Sequence, residues 1–270
     1  MHPALPQKTR EPGDHRGPRL HHENQMARQS IDAIAAERLL RDLEATASAT
    51  LRRVVADARD HIWLLDRIGS IDVNTDVEFQ RQLCRHAGMR GKLRMRRDEL
   101  FSILDTFREA SSRTYPELLT KISELTGQVE KSVASEILAL LEPDQPTIDR
   151  EVRELLPRYG FYPLPESPLF DECVAYHRSL RDTMLQVIEL PAFQHLEARF
   201  DQAVGPSSAS LSRLRKFNLQ LSGSYRTVAL MPKTDAANGL PRKLDLESPR
   251  STPAIRPITS RPGVRLHLCR

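Results

Sequence analysis

Lys131 and Asp149 are the two residues of this chain whose types and spacing could support a chemical reaction. They lie 18 positions apart, Lys131 in the first turn of one predicted helix and Asp149 at the start of the next. A lysine amine attacks an electrophilic carbon only when it is deprotonated, and the dipole at a helix N-terminus disfavours its charged form. A carboxylate nearby could stabilise the positive charge that develops and could move protons. The alternative interpretation is structural, with Lys131 in solvent and Asp149 as an ordinary helix cap.

The segment around these residues predicts two helices that are separated by an extended crossing. Residues 126–128 (Thr-Gly-Gln) predict a turn before a helix of about 13 residues, in which apolar residues recur with the spacing of one buried face. The apolar positions are Val129, Val133, Ala134, Ile137, Leu138 and Leu141. Pro143 and Pro146 then end this helix and require an extended connection. Asp149 follows, where its carboxylate can accept the free N–H groups of the next helix.

The order of turn, lysine, apolar helix, proline and Asp-Arg resembles the core of the helix-hairpin-helix DNA glycosylase superfamily. The likeness is carried by the Lys131–Asp149 spacing and by the segments Val133-Ala134-Ser135, Ile137-Leu138 and Ile148-Asp149-Arg150. It is closest to the lysine-using branch of 8-oxoguanine DNA glycosylases. The resemblance implies that Lys131 is the nucleophile, that Asp149 assists it, and that DNA is the partner, with the target base flipped out of the duplex.

The same resemblance implies DNA contacts in the turn that precedes Lys131. Thr126, Gly127 and Val129 would hold the phosphate backbone, as the hairpin of the superfamily does. The usual hairpin has two glycines, whereas this one has only Gly127. A longer stretch, from about Asp72 to Leu221, also looks like a group of short uncharacterised bacterial proteins, and that likeness implies no activity.

These observations leave more than one function open, and they do not decide whether the chain is an enzyme. The first hypothesis is a DNA repair glycosylase and AP lyase that acts through a lysine Schiff base. The second is a non-enzymatic helical binding or scaffold protein that has lost this chemistry. The missing hairpin glycine favours the second hypothesis, in which the proline-rich aromatic loop over residues 157–168 could bind an unidentified protein partner. A third is a helical module of a bacterial defence or mobile-element system.

The densest basic stretch of the centre runs from Arg81 to Arg97 and contains no acidic residue. Its cationic residues are Arg81, Arg85, Arg90, Lys92, Arg94, Arg96 and Arg97. Leu93 and Met95 alternate with the last of these, which predicts one face that packs and one that is cationic. Three arginines on the cationic face are expected to hold a phosphate backbone: Arg94, Arg96 and Arg97. The alternative is a solvated loop whose long side chains lie over the core.

Composition predicts a folded centre between two disordered tails. Residues 1–30 and 222–270 lack periodicity and are rich in polar residues and proline, which is typical of disorder. The first tail carries five Lys/Arg against three Asp/Glu and the second nine against three, so that the centre, residues 31–221, has a net charge of −4 although the whole chain has +4. Strand signals are nearly lacking. The predicted fold is therefore all-α, an orthogonal helical domain with a helix-hairpin-helix-like element at its middle.

Several classes of site and location are not expected from this sequence. Cys84, Cys173 and Cys269 are far apart and odd in number, so they form neither a metal motif nor a disulfide framework. Phosphate-cradling glycine loops, dinucleotide fingerprints and zinc spacings are lacking, and we expect no metal and no cofactor. The lack of a disulfide framework predicts a reducing cytoplasm as the location. No apolar run reaches the length of a transmembrane helix and no signal peptide is recognised, so we expect no membrane association.

Overall fold

The computed structural model of the chain describes residues 31–230, and within them the secondary structure is entirely helical, as the predicted all-α fold requires. The ten α-helices are α1 (Ala33–Ile68), α2 (Val77–His86), α3 (Gly91–Met95), α4 (Arg97–Glu109), α5 (Tyr115–Thr126), α6 (Lys131–Leu141), α7 (Arg150–Leu155), α8 (Phe170–Ile188), α9 (Pro191–Val204) and α10 (Arg213–Leu230). Two 3-10 segments cover Leu156–Tyr159 and Pro206–Ser210. The tails were predicted for residues 1–30 and 222–270, and of these only residues 222–230 lie within the described part of the chain.

Helix α1 is the long central element, and it begins where the Asp32 carboxylate accepts a hydrogen bond from the Ala35 N–H at 2.7 Å. Weak helix formers over residues 46–50 predict a break, but α1 is continuous. The hydroxyls of Thr46 and Thr50 are buried and donate to backbone carbonyls one turn earlier. This bonding satisfies both hydroxyls within the helix, so no break is needed. Among the described helices, none is both long enough and apolar enough to cross a bilayer.

Helices α5 and α6 pack against each other and are joined by residues 127–130. Gly127 ends α5 with a left-handed backbone, φ 69°, and its N–H donates to the Ser123 carbonyl at 2.7 Å. Glycine adopts this conformation without steric cost, which explains its position at the turn. The predicted helix, turn and helix are therefore present, while the equivalence of this hairpin to that of the glycosylases stays a prediction.

Helix α10 continues to Leu230, nine residues beyond Leu221, where the folded centre was predicted to end. The boundary predicted at Leu221 is therefore corrected. Ser222, Gly223 and Ser224 favour a turn by composition, but here they are helical and lie where α10 packs closely against α1. Small side chains let two helix backbones approach each other, and this tertiary contact overrides their weak helix propensity.

The helices enclose one large apolar core and one smaller cluster. The large core includes Phe79, Phe101, Tyr176, Phe193 and Phe217. The smaller cluster, between α1, α9 and α10, contains Val54, Ala58, Ile62, Phe200, Val204, Leu211 and Leu219. Each large apolar side chain that is fully buried stabilises the fold by about 1.5–3 kcal/mol relative to exposure. This packing fixes the helices that carry the polar groups described below.

Candidate functional sites

Lys131 is the first residue of α6, which agrees with the predicted position in the first turn, and the residue is half-buried beside the proline-rich loop. Its Nζ donates to the Glu166 carbonyl at 3.5 Å, and its own carbonyl accepts from the Tyr115 hydroxyl at 3.2 Å. Burial lowers the pKa of Lys131, and the nearby Arg153 guanidinium lowers it further. The direction of this shift is the one that amine nucleophilicity requires.

Asp149 is the N-cap of α7, in agreement with the predicted helix start. One carboxylate oxygen accepts from the Val152 N–H at 2.6 Å, and the other accepts from the Ser222 hydroxyl on α10. Burial raises the pKa of Asp149 to about 7. The two hydrogen bonds favour the charged form and oppose this shift, but burial has the larger effect. The carboxyl therefore joins the start of α7 to α10.

The backbones next to Lys131 and Asp149 are held together, but the two side chains have different partners. The Ser132 hydroxyl donates to the Ile148 carbonyl at 2.6 Å, and the Ile148 N–H donates to the Ser135 hydroxyl at 2.8 Å. From this junction the Lys131 amine extends to the Glu166 carbonyl, whereas the Asp149 carboxylate extends to α10. The catalytic roles of these residues stay predictions.

The resemblance assigns phosphate binding to the turn before α6, but only one of the three predicted contact residues, Gly127, is exposed. Thr126 is buried and its hydroxyl donates to backbone carbonyls, and Val129 packs against the core. Gly127 and Gln128 are exposed. A ligand could approach the backbone of Gly127, while the Thr126 and Val129 side chains contribute to the structure of the turn.

The arginines predicted to hold phosphate lie around α3, but they do not share one surface. Arg94 and Arg97 line the same cavity. Arg96 instead pairs with Glu99 and donates to the Leu125 carbonyl at 3.1 Å, which ties it to the end of α5. The prediction that Leu93 and Met95 pack on one face, opposite the cationic residues, is wrong. The segment is a helical turn, α3, in which Met95 is 80% exposed.

Four arginines surround a cavity of about 390 Å³ between α2, α3 and the start of α4, here called the arginine pocket. Arg81 and Arg85 are one turn apart on α2, and they face Arg94 and Arg97. The remaining lining residues are Val77, Cys84 and Met89, so the lining contains no carboxylate. Burial raises the pKa of the Cys84 thiol although Arg97 and Arg94 oppose the shift. The cationic rim, rather than a reactive thiol, is the chemical feature of this cavity.

A buried polar cluster, which sequence reasoning missed, lies between α1, α2, α6 and α10. His61 is 1% exposed, Glu136 is 9% exposed and Arg215 is 3% exposed, while His86 is partly buried at the end of α2. Arg215 Nη2 lies 2.5 Å from Glu136 Oε1, 2.9 Å from His61 Nδ1 and 3.2 Å from His86 Nε2. We call His61, His86 and Glu136 the His–His–Glu cluster.

The charges of this cluster are set by its burial and by Arg215. Burial opposes ionisation of Glu136, but Arg215 and the two imidazoles hold the pKa of its carboxyl well below the usual range. Burial, followed by the Arg215 charge, lowers the pKa of His61 well below its ordinary value. A neutral imidazole, a carboxylate and a guanidinium therefore meet in a site that water scarcely reaches.

One stripe of α10 forms the far side of these contacts. Residues 215, 218, 222 and 225 follow each other at intervals of three, four and three, which places them on one helix face. Their partners are Glu136 for Arg215, Thr147 for Asn218, Asp149 for Ser222 and Glu154 for Tyr225. The spacing of these four polar residues is the sequence signal that could have indicated this face. It is visible only if α10 is taken to continue past Leu221.

No protein-family model, curated protein or solved structure matches this chain. Its function must therefore be inferred from the geometry of its own residues.

Proposed function

We propose that this chain is a helical binding protein for phosphate groups of nucleic acid, and that the arginine pocket is the contact site. The observation that carries the proposal is the meeting of four arginines around one cavity whose lining has no acidic residue. Guanidinium groups donate two parallel hydrogen bonds to a phosphate and remain charged at any physiological pH. The pocket therefore has the charge and donor geometry for this anion.

The arginines of the pocket are only weakly compensated by the protein. Arg85 lies 3.9 Å from an Asp60 oxygen, and Arg97 lies 3.7 Å from a carboxylate oxygen of Asp98. Within residues 31–230, Arg81 and Arg94 form no ion pair. Four cations that repel each other over an apolar floor are stabilised by an anion, so their arrangement favours ligand binding over a purely structural role.

Removal of two pocket arginines is expected to weaken nucleic-acid binding at least tenfold. The variant is Arg81→Ala with Arg94→Ala, and binding is measured by fluorescence anisotropy with labelled single-stranded and duplex oligonucleotides over a range of salt concentrations. Each lost phosphate contact reduces the slope of log affinity against log salt concentration by about one. Competition by inorganic phosphate or a free mononucleotide at the same site distinguishes a small-ligand pocket from a polymer-binding surface.

The matched control is Arg150→Ala, which removes an exposed arginine that already pairs with Glu154 at 2.6 Å and lies outside the pocket. It should bind oligonucleotides almost as the unchanged protein does, apart from the small effect of one lost charge. Two results would contradict the proposal. One is a loss of oligonucleotide affinity per removed charge that is similar in both variants, and the other is unchanged affinity in the pocket variant.

A second candidate is the glycosylase and AP lyase reaction with Lys131 as the nucleophile and Asp149 as the assisting carboxylate. The observation that favours it is the lowered pKa of the Lys131 amine, caused first by the partial burial of this residue and second by the charge of Arg153. The different partners of the Lys131 and Asp149 side chains weigh against it, because assistance at the sugar requires both groups in one site.

Borohydride trapping tests this second candidate directly. Duplexes with 8-oxoguanine, uracil or an abasic site are mixed with the protein and reduced, and a Schiff-base enzyme gives a covalent protein–DNA band. The band should vanish in Lys131→Ala and persist in Lys121→Ala, which removes an exposed lysine of α5. A band that survives in Lys131→Ala, or its absence from all three duplexes with folded protein, excludes Lys131 as the nucleophile.

A further inference from the structure

The His–His–Glu cluster brings three metal-ligating side chains from three different helices into one small volume. His61 comes from α1, His86 is the last residue of α2, and Glu136 lies on the buried face of α6. His86 Nε2 lies 2.8 Å from Glu136 Oε1, and His61 Nδ1 lies 3.3 Å from His86 Nε2 and 3.8 Å from Glu136 Oε1. These donor atoms all lie within 4.8 Å of one another.

The separations agree with those of atoms that share one metal ion. Imidazole nitrogen and carboxylate oxygen bind Zn²⁺ at about 2.0–2.2 Å, and tetrahedral angles then place neighbouring donors about 3.3–3.6 Å apart. The three observed separations, from 2.8 to 3.8 Å, lie on either side of this range. Changes of at most about 0.5 Å in each separation would bring all three into this range.

The donor set also has the right chemistry for a transition metal. Two imidazoles and one carboxylate are ligands for Zn²⁺, Fe²⁺ and similar divalent ions, whereas Ca²⁺ and Mg²⁺ prefer oxygen ligands alone. Three protein ligands leave at least one coordination position open. In this protein the open position lies toward Arg215 on α10.

The Arg215 guanidinium occupies the point on which the three donors converge. Its Nη2 carries two hydrogens but lies within 3.2 Å of three potential acceptor atoms, and its Nε is buried without a hydrogen-bond partner in the described part of the chain. The two Nη2 hydrogens can serve the Glu136 carboxylate and the His61 nitrogen, while His86 Nε2 lies 2.8 Å from the carboxylate and can donate to it. A cation therefore already lies where the three donors converge, but its buried Nε has no partner there among the described residues.

We propose that His61, His86 and Glu136 form a binding site for one divalent transition-metal ion of the Zn²⁺ type, for which Arg215 is the competing cation. The metal takes the central position when the guanidinium moves aside, and the arginine neutralises Glu136 when the metal leaves. This site is independent of the arginine pocket, although the two are adjacent on α2, where Arg85 lines the pocket and His86 enters the cluster.

Titration of the full-length protein with Zn²⁺ by calorimetry tests the proposal, with Co²⁺ absorption as a second measurement of the coordination. We expect one site per chain, affinity at least tenfold lower in His86→Ala, and affinity at least tenfold higher in Arg215→Met, which removes the competing cation. The control is His195→Ala, an exposed histidine of α9 that pairs with Glu44 and should leave the binding unchanged.

Circular dichroism establishes that each variant is folded before the titration, and His86→Asn replaces the alanine variant if that variant unfolds. Stoichiometric binding that persists in the folded His86 variant places the metal elsewhere in the chain and overturns the proposal. The absence of binding by both the unchanged protein and Arg215→Met overturns it as well, because the second variant has no guanidinium in the site.

Discussion

Replacement of Glu136 by alanine is expected to destabilise the folded chain by about 3–5 kcal/mol, because it leaves the Arg215 charge buried without a counterion. Arg215 is 3% exposed, so water cannot take the place of the lost carboxylate. The two imidazoles near it are poor substitutes, since an imidazole ring supplies no negative charge. Urea unfolding followed by far-UV circular dichroism, with a chelator present, measures the loss.

Glu142→Ala is the matched control, since Glu142 caps the end of the same helix and also pairs with an arginine. The Glu142 carboxylate lies 2.9 Å from Arg113, but both side chains remain accessible to solvent. An ion pair of this kind contributes about 0–1 kcal/mol. Equal losses of stability in the two variants would mean that burial does not determine the strength of the Glu136–Arg215 pair.

A double variant distinguishes the net contribution of the ion pair to the free energy of unfolding from the cost of leaving one of its charges unpaired. Glu136→Met combined with Arg215→Met removes both buried charges and keeps apolar volume in the site. Exchange of a buried ion pair for packed apolar residues is often neutral or stabilising, whereas the loss of one partner is costly. We expect the double variant to be more stable than either single variant, so the favourable coupling energy exceeds the loss in each single variant, about 3–5 kcal/mol.

Local patterns in the sequence predicted the fold class and the segment that carries Lys131 and Asp149. Apolar spacing predicted α6, Asp149 predicted the start of α7, and Gly127 predicted the turn after α5. These signals act within one or two helical turns of the residues that produce them. For this reason they can be read from a single sequence.

The sites depend on contacts that no local pattern contains. His61 and Arg215 are separated by 154 positions, and they meet only because α1 and α10 are packed together. The arginine pocket was predicted in part, since the basic stretch from 81 to 97 is continuous in sequence. Its concave shape was not predictable, because the turns at Gly88 and Gly91, both with positive φ, determine how α3 returns toward α2.

Replacement of Gly223 by alanine is expected to destabilise the protein by about 1–2 kcal/mol, although alanine is the better helix former. A Cβ atom at this position would lie 2.3 Å from Val54 Cγ2 on α1. Val54 is buried, and its β-branched side chain has one strongly preferred rotamer in a helix, so it cannot easily turn away. Overpacking costs about 1–3 kcal/mol, and a contact as short as 2.3 Å places this variant at the upper end of that range, above the gain of about 1 kcal/mol in helix propensity.

Gly69→Ala is the control for the glycine substitution itself. Gly69 caps the end of α1 with φ −82°, and a Cβ atom there would have no neighbour within 4 Å. Alanine adopts this backbone conformation without strain and reduces the entropy of the unfolded chain, so this variant should be unchanged or more stable by about 0.4–1 kcal/mol. The free energies of unfolding of both variants are compared by urea denaturation.

The Gly223 variant also decides between the helix end in the structure and the one expected from the sequence. If the chain left the fold after Leu221, as its Ser-Gly-Ser composition predicts, residue 223 would be solvated and alanine would have little effect. Combination with Val54→Ala removes the methyl group that the new Cβ meets, so the two substitutions should couple favourably by at least about 1 kcal/mol. Additive effects would mean that the loss of stability in Gly223→Ala does not arise from the contact between α1 and α10. Favourable coupling would show that it does arise from this contact, and therefore that α10, which carries Arg215 into the His–His–Glu cluster, packs against α1 at residue 223.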